Sequence, residues 1–180
     1  ETMMKKVEER VIKPTIAGLQ KDDITYHGFI YFGLMNVNGN PYVIEYNCRM
    51  GDPETEIVLP RIESDLVQHF VALAIGTLAH EQVIVSEKAA ATVIVASGGY
   101  PGDYEKGKPI TGLETVTGSI VFHAGTANKD GVVVTNGGRV LAVSSFGSTI
   151  QEAVAASNAS IQKINFDKMY FRKDIGYEFK

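Results

Sequence analysis

Asn38-Gly39 constrains the fold of this chain more than any other pair of residues. Both residue types tolerate positive φ, so the dipeptide closes a two-residue hairpin when apolar runs flank it. Such runs are present, and they predict strands over residues 28–36 and 42–48. The second strand must return beside the first, which fixes what its alternate side chains face.

That second run reads Val43-Ile44-Glu45-Tyr46-Asn47-Cys48-Arg49-Met50-Gly51-Asp52-Pro53-Glu54. Strand alternation puts Glu45, Asn47 and Arg49 on one face and Ile44, Tyr46 and Cys48 on the other, with Cys48 expected to be buried. Carboxylate and amide oxygens suit a hard cation such as Mg²⁺. A guanidinium beside them suits a phosphate or acyl phosphate. A plain solvated strand face is the competing reading. Asp52-Pro53 predicts the N-cap and first turn of a short helix ending near Pro60, whose N-terminus would favour anions. Asp52 reads as a cap, a substrate contact or both. Glu54 complements the helix dipole, shapes a substrate site or does both.

The rest of the chain reads as α+β. Residues 1–20 form an amphipathic helical pattern, with a break expected near Pro14. Ser64-Asp65 opens another helix, whose apolar stripe is Leu66, Val67, Phe70, Val71, Ala74 and Leu78. From about residue 87 the pattern changes to short strands at 89–97, 119–124, 132–135 and 139–145. Asn136-Gly137-Gly138 is expected to join the last two as a hairpin. Thr149 with Glu152 forms a capping box for a final helix, lined by Ile150, Val154, Ile161 and Ile164. The tail from Tyr170 to Gly176 reads as irregular. Two domains are expected, 1–86 and 87–180.

Bulk properties remove several classes of function. With 180 residues the chain can bury roughly 70% of its unfolded surface without covalent staples. Its single cysteine excludes an internal disulfide framework and fits a reducing compartment, the cytoplasm. A net charge of −4 gives no basic surface for nucleic acid. No apolar run reaches the ~18 residues that span a bilayer, and no signal-peptide pattern opens the chain. The first residue is Glu1, in a helical pattern, so the chain is expected to be the middle and end of a longer protein.

Other polar motifs add little alone. The Gly98-Gly99-Tyr100-Pro101-Gly102-Asp103-Tyr104 loop is not a P-loop, since no Gly-Lys-Ser/Thr follows it, and reads as a turn needing positive φ. Arg139, just after Gly137-Gly138, is either solvated or within reach of a phosphate. His123 sits in an apolar run and is expected to be a satisfied core histidine. Spacing supports no Ser-His-Asp or Cys-His arrangement.

The block Arg49-Met50-Gly51-Asp52-Pro53-Glu54-Thr55-Glu56, preceded by Ile44-Glu45-Tyr46-Asn47-Cys48, closely resembles the phosphoribosylamine–glycine ligase (glycinamide ribonucleotide synthetase) family. The resemblance continues in order through residues 28–35, 98–104, 121–126, 135–140 and 172–176, covering nearly the whole chain. It implies the C-terminal part of an ATP-grasp domain, made of helices plus the hairpin, followed by a small mixed antiparallel sheet and helix domain. It implies that ATP, glycine and 5-phosphoribosylamine give glycinamide ribonucleotide, ADP and phosphate through glycyl phosphate, in purine synthesis. It also implies Glu45 and Asn47 as ligands of Mg²⁺ or Mn²⁺, and Arg49, Asp52 and Glu54 as catalytic residues. Arg139 is a candidate for the sugar phosphate. Many relatives add an acidic ligand from the preceding strand, and residues 28–35 contain none.

A full member is more than twice this length. The resemblance therefore implies that an N-terminal domain, the ATP lid and most of the adenine pocket lie outside this chain, which is expected to be inactive alone. Two other readings stay open: a piece of a different ATP-grasp carboxylate–amine ligase, and a non-catalytic interaction module.

Overall fold

A computed structural model of the chain describes residues 2–179. Its elements in order are α1 (Met3–Val7), a π-helical turn (Glu8–Ile12), α2 (Lys13–Lys21), β1 (Tyr31–Val37), β2 (Asn40–Asn47), α3 (Thr55–Val58), α4 (Leu66–Ala74), β3 (Ala89–Ser97), β4 (Ile120–His123), β5 (Thr126–Lys129), β6 (Val132–Thr135), β7 (Arg139–Gly147), α5 (Ile150–Ile161) and β8 (Met169–Phe171). They divide into two compact units. One holds residues 1–52 and 65–82, the other residues 53–64 and 83–180.

In the first unit, Pro14 does not break the helix. The turn ahead of it widens instead, and the Lys13 N–H donates to the Glu8 carbonyl. A wider turn accommodates a residue that has no N–H and whose ring crowds the preceding turn. Val7 and Val11, one turn apart, are buried. Lys6 donates to the Gly39 carbonyl, and Arg10 donates to Asn40 Oδ1 at 3.0 Å. The helix is thereby tied to the hairpin.

The hairpin has the turn its sequence requires. Asn38 and Gly39 have φ of 50° and 76°, both in the left-handed region. β1 and β2 pair antiparallel, with Gly33 opposite Glu45 but Leu34 opposite Val43. Ile44 is thus an extra residue on β2, a β-bulge that alternation does not reveal.

α4 starts where expected: Asp65 accepts from the N–H groups of Val67 and Gln68. Its stripe is not buried, however. Val67, Phe70 and Val71 are exposed, and His69 and Ala72 are buried instead. Periodicity identifies a face that suits burial. It does not say that the burying partner lies within the same stretch of chain.

The second unit is built on an antiparallel sheet of order β4-β7-β3-β8, with β5-β6 as a separate two-stranded ribbon. Val93, Val95, Val140, Leu141, Val143, Ile161 and Ile164 form its core. Small residues let α5 approach the sheet closely. Ala153 and Ser157 are fully buried, and the Ser157 hydroxyl donates to the Ala91 carbonyl at 3.1 Å. Thr149 caps α5 by accepting from the Glu152 N–H, while Glu152 accepts from the Ser148 N–H.

Several local expectations fail here. Asn136-Gly137-Gly138 does not close a hairpin, because β6 pairs with β5 while β7 pairs with β3 and β4. Part of the tail taken as irregular is β8, an edge strand beside β3. His123 is exposed rather than in the core, with Nδ1 3.0 Å from Thr126 Oγ1.

Residues 53–64 pack with this unit. Ile62 bridges to Val85, the Glu63 N–H donates to Ile84, and the Ser86 N–H donates to Arg61. No helix among the described residues is long and apolar enough to cross a membrane.

Candidate functional site

In the first unit the polar residues of β2 come together locally. Asn47 Nδ2 donates to Glu45 Oε1 at 3.1 Å, so carboxylate and amide lie side by side at the end of the strand. Glu45 is exposed and Asn47 half-buried. Gly33 makes room for the pair across the ladder. A Cβ there would stand 2.8 Å from Glu45 Cγ. The strand exit is pinned by Tyr26, whose hydroxyl lies 2.8 Å from both the Phe29 and the Cys48 carbonyl oxygens. The Cys48 side chain is exposed, not buried as alternation suggested, because the strand ends at Asn47 and the chain bends there.

The same bend removes Arg49 from the strand. Its guanidinium donates to the adjacent Met50 carbonyl at 2.9 Å and is exposed. Strand alternation therefore does not place Arg49 beside Asn47. Asp52 is exposed and precedes the second unit. It is not an N-cap: α3 begins at Thr55, and Glu54 occupies its cap position with helical φ and ψ and no side-chain cap bond. With four residues, α3 is also too short for its N-terminus to act as an anion site.

Glu45 and Asn47 supply hard oxygen donors, which fit a small divalent cation. Among the described residues no group of three or more His, Cys, Asp or Glu side chains could form a protein-only cage. Two protein oxygens leave most of the coordination to water and phosphate oxygens. Mg²⁺ is commonly bound that way, through one or two carboxylates plus substrate phosphates.

In the second unit Arg139 begins β7 and lines a cavity of about 360 Å³. Arg172, Tyr100, Tyr170, Pro53 and Ile175 line it too. Arg172 is held bidentately by Asp174, Nε to Oδ1 at 2.9 Å and Nη2 to Oδ2 at 2.8 Å. That hydrogen bonding, with the opposite charge, holds Asp174 below its ordinary carboxylate pKa and raises Arg172 above its own. Two arginines lining one cavity together with two tyrosines suit a phosphate ester on a polar, ring-bearing ligand.

Sequence reasoning missed Arg172 as a site residue. Its only local signal is Asp174, two residues on. The glycines beside Arg139 serve packing as much as turning. Ser97 Oγ donates to the Gly137 carbonyl at 2.9 Å, and a Cβ on Gly138 would come within 2.1 Å of the Tyr100 ring. The 98–104 loop and the 136–138 loop thus lie against each other, with Tyr100 over Gly138. Gly99, at φ 101°, is the member of the first loop that needs left-handed backbone.

Two models of one family match the chain. The model described as phosphoribosylglycinamide synthetase, C domain, matches residues 90–178, and that described as its ATP-grasp (A) domain matches residues 1–55. Phosphoribosylamine–glycine ligase of Chlorobaculum tepidum is 46% identical over 177 residues, covering 97% of this chain and 42% of that protein. The Escherichia coli ligase is 47% identical over 173 residues, covering 94% of this chain and 40% of its own. The trifunctional purine biosynthetic protein adenosine-3 of Gallus gallus is 45% identical over 178 residues, which are 97% of this chain and 18% of that one. The crystal structure of phosphoribosylamine–glycine ligase from Thermotoga maritima superposes with a TM-score of 0.79 at 37% identity, over 96% of this chain and 42% of that one. The chain spans about two fifths of the length of the single-function ligases it matches.

Proposed function

This chain belongs to the phosphoribosylglycinamide synthetase family, and from that premise we propose that a full-length protein of this sequence joins glycine to 5-phosphoribosylamine. ATP drives the reaction and leaves as ADP and phosphate. Residues 1–86 are the metal-bearing end of the ATP-grasp part, and residues 87–180 are the C-terminal domain. Missing N-terminal and ATP-lid portions complete the enzyme. The observation that carries the reading is the Glu45–Asn47 oxygen pair, on a strand whose opposite residue is a glycine.

In this scheme a glycine carboxylate oxygen attacks the γ-phosphorus of ATP, and the bond to ADP breaks. The amine of 5-phosphoribosylamine then attacks the carbonyl of glycyl phosphate, and phosphate leaves. Glu45 and Asn47 hold Mg²⁺ or Mn²⁺, which when bound neutralises charge on the ATP phosphates. Arg49, an exposed guanidinium, binds the transferring phosphoryl group or the acyl phosphate. Asp52 and Glu54 orient the amine-bearing ends of the substrates. Arg139, with Arg172 in the same cavity, binds the sugar phosphate.

The test is ADP release in a full-length chain carrying this sequence, with all three substrates present. Glu45→Ala is expected to lower turnover by orders of magnitude and to leave the melting temperature unchanged, since Glu45 is an exposed strand residue. Wild-type turnover at ordinary Mg²⁺ would refute the ligand assignment. Turnover with phosphoribosylamine omitted and another amine supplied would move the chain to a different carboxylate–amine ligase.

A further inference from the structure

Besides the backbone contacts of residues 61–63, residues 53–64 are held within the second unit by a hydroxyl buried in its sheet. The Ser144 Oγ donates to the Glu56 carbonyl at 2.7 Å, across 88 residues of sequence. Ser144 is 2% exposed. On the neighbouring strand Thr92 is its cross-strand partner, with the two hydroxyl oxygens 2.7 Å apart, and Thr92 Oγ1 lies 3.5 Å from the same carbonyl. The acceptor sits in the first turn of α3, a helix too short to stabilise itself. Pro53, two residues before that helix, is a wall of the cavity that holds Arg139 and Arg172, and Thr92 lines the same cavity.

We infer that Ser144, supported by Thr92, is a positioning residue for that cavity. It touches no substrate. Its hydroxyl fixes the Glu56 carbonyl, the carbonyl fixes the first turn of α3, and that turn sets where Pro53 closes the wall beside the two arginines. A buried hydroxyl bonded to a backbone carbonyl suits this purpose. The carbonyl is one of those that so short a helix leaves without an internal donor, and the donor comes from a central strand paired on both sides at Ser144. The inference rests on the proposal that the two-arginine cavity takes the sugar phosphate.

The experiment uses a full-length chain carrying this sequence. Ser144→Ala is expected to raise the KM for 5-phosphoribosylamine about 3- to 10-fold, the range set by loss of one such hydrogen bond, with the KM for ATP unchanged. Ser144→Thr, which keeps the hydroxyl, restores the wild-type KM. Amide exchange over residues 55–58 quickens in Ser144→Ala and not in Ser144→Thr. Should Ser144→Ala fail to fold, Thr92→Val gives the same KM split with smaller amplitude. A KM for 5-phosphoribosylamine that stays put in these variants, while Arg139→Ala raises it, overturns the positioning role and spares the cavity reading. A uniform loss of melting temperature and activity, with no KM split and no rescue by threonine, also overturns it. If Arg139→Ala and Arg172→Ala leave that KM unmoved, the sugar-phosphate reading falls and this inference falls with it.

Discussion

Replacing Gly33 with alanine should weaken the metal site while leaving the hairpin as stable as before, or more so. The added Cβ would stand 2.8 Å from Glu45 Cγ, where ordinary contact begins at 3.4 Å. The backbone at Gly33 is not in the left-handed region, so alanine adds no strain of its own. Relief must come from the Glu45 side chain. Moving Cγ by about 0.6 Å at the end of a ~1.5 Å bond requires about 25° of rotation about χ1, and a departure of that size costs about 0.5–1.5 kcal/mol. If the displaced carboxylate must return to its original rotamer to hold the cation, that cost appears as roughly 2- to 10-fold weaker metal affinity. Alanine is meanwhile favoured over glycine within a strand by about 0.5–1 kcal/mol. The assay is ADP release against Mg²⁺ concentration in the full-length chain, beside a denaturant midpoint on the same protein. The half-saturating Mg²⁺ should rise while the midpoint holds or increases. An unchanged Mg²⁺ dependence would mean that Glu45, in its present rotamer, is not a metal ligand. A fall in both quantities would mean that the hairpin itself had been damaged, and that the glycine is there for backbone reasons.

Two further outcomes follow from the second unit. Gly138→Ala puts a methyl group 2.1 Å from Tyr100 Cδ2 and should destabilise the chain by about 1–3 kcal/mol in denaturant unfolding. Most of that loss should be recovered in the double variant with Tyr100→Ala, and strict additivity of the two changes would refute the ring-on-glycine contact as its cause. For the Arg172–Asp174 pair the folded pKa of Asp174 is depressed, chiefly by its hydrogen bond to the guanidinium. Its contribution to stability is therefore full above the unfolded carboxylate pKa and disappears as pH falls through the lower folded value. The stability gap between wild type and Asp174→Asn should accordingly be present at neutral pH and close below that folded value. A gap that persists in strong acid would contradict the ion pair as its source.

The parts of the fold legible in the sequence are those whose cause is local. Asn38-Gly39 specifies its own turn because both positions need positive φ, and few other dipeptides supply it cheaply. Asp65 and Thr149 announce their helices because a cap acts on N–H groups two and three residues away. β3 and β6 have the bounds that their apolar runs suggested. What stayed hidden depends on partners far along the chain. The bulge at Ile44 exists only relative to β1, and the room for Glu45 comes from Gly33, twelve positions earlier. The Asn136-Gly137-Gly138 segment has hairpin composition, yet its strands choose other partners. Asp52-Pro53 looks like a helix start but precedes one, because residues 53–64 are set by contacts with Val85, Ile84, Ser86 and Ser144. At the candidate site, Glu45 and Asn47 follow from alternation. Arg49 does not, and Arg172 enters its cavity only through the pairing of β8 with β3.

The π-helical turn between α1 and α2 has a consequence for how this chain can change length. A π turn is an α-helix with one residue too many, and here the surplus lies between Val7 and Lys13. Deleting a single residue from that turn would let the helix rewind to α geometry and rotate everything before it by about 100° relative to everything after. Lys6 would swing away from Gly39, and Val7 would leave the buried side. The five residues Glu8–Ile12 thus act as a phase setting between two halves of one rod. Substitutions at the exposed Glu8 or Glu9 should pass quietly, whereas a one-residue deletion should put the two halves out of step.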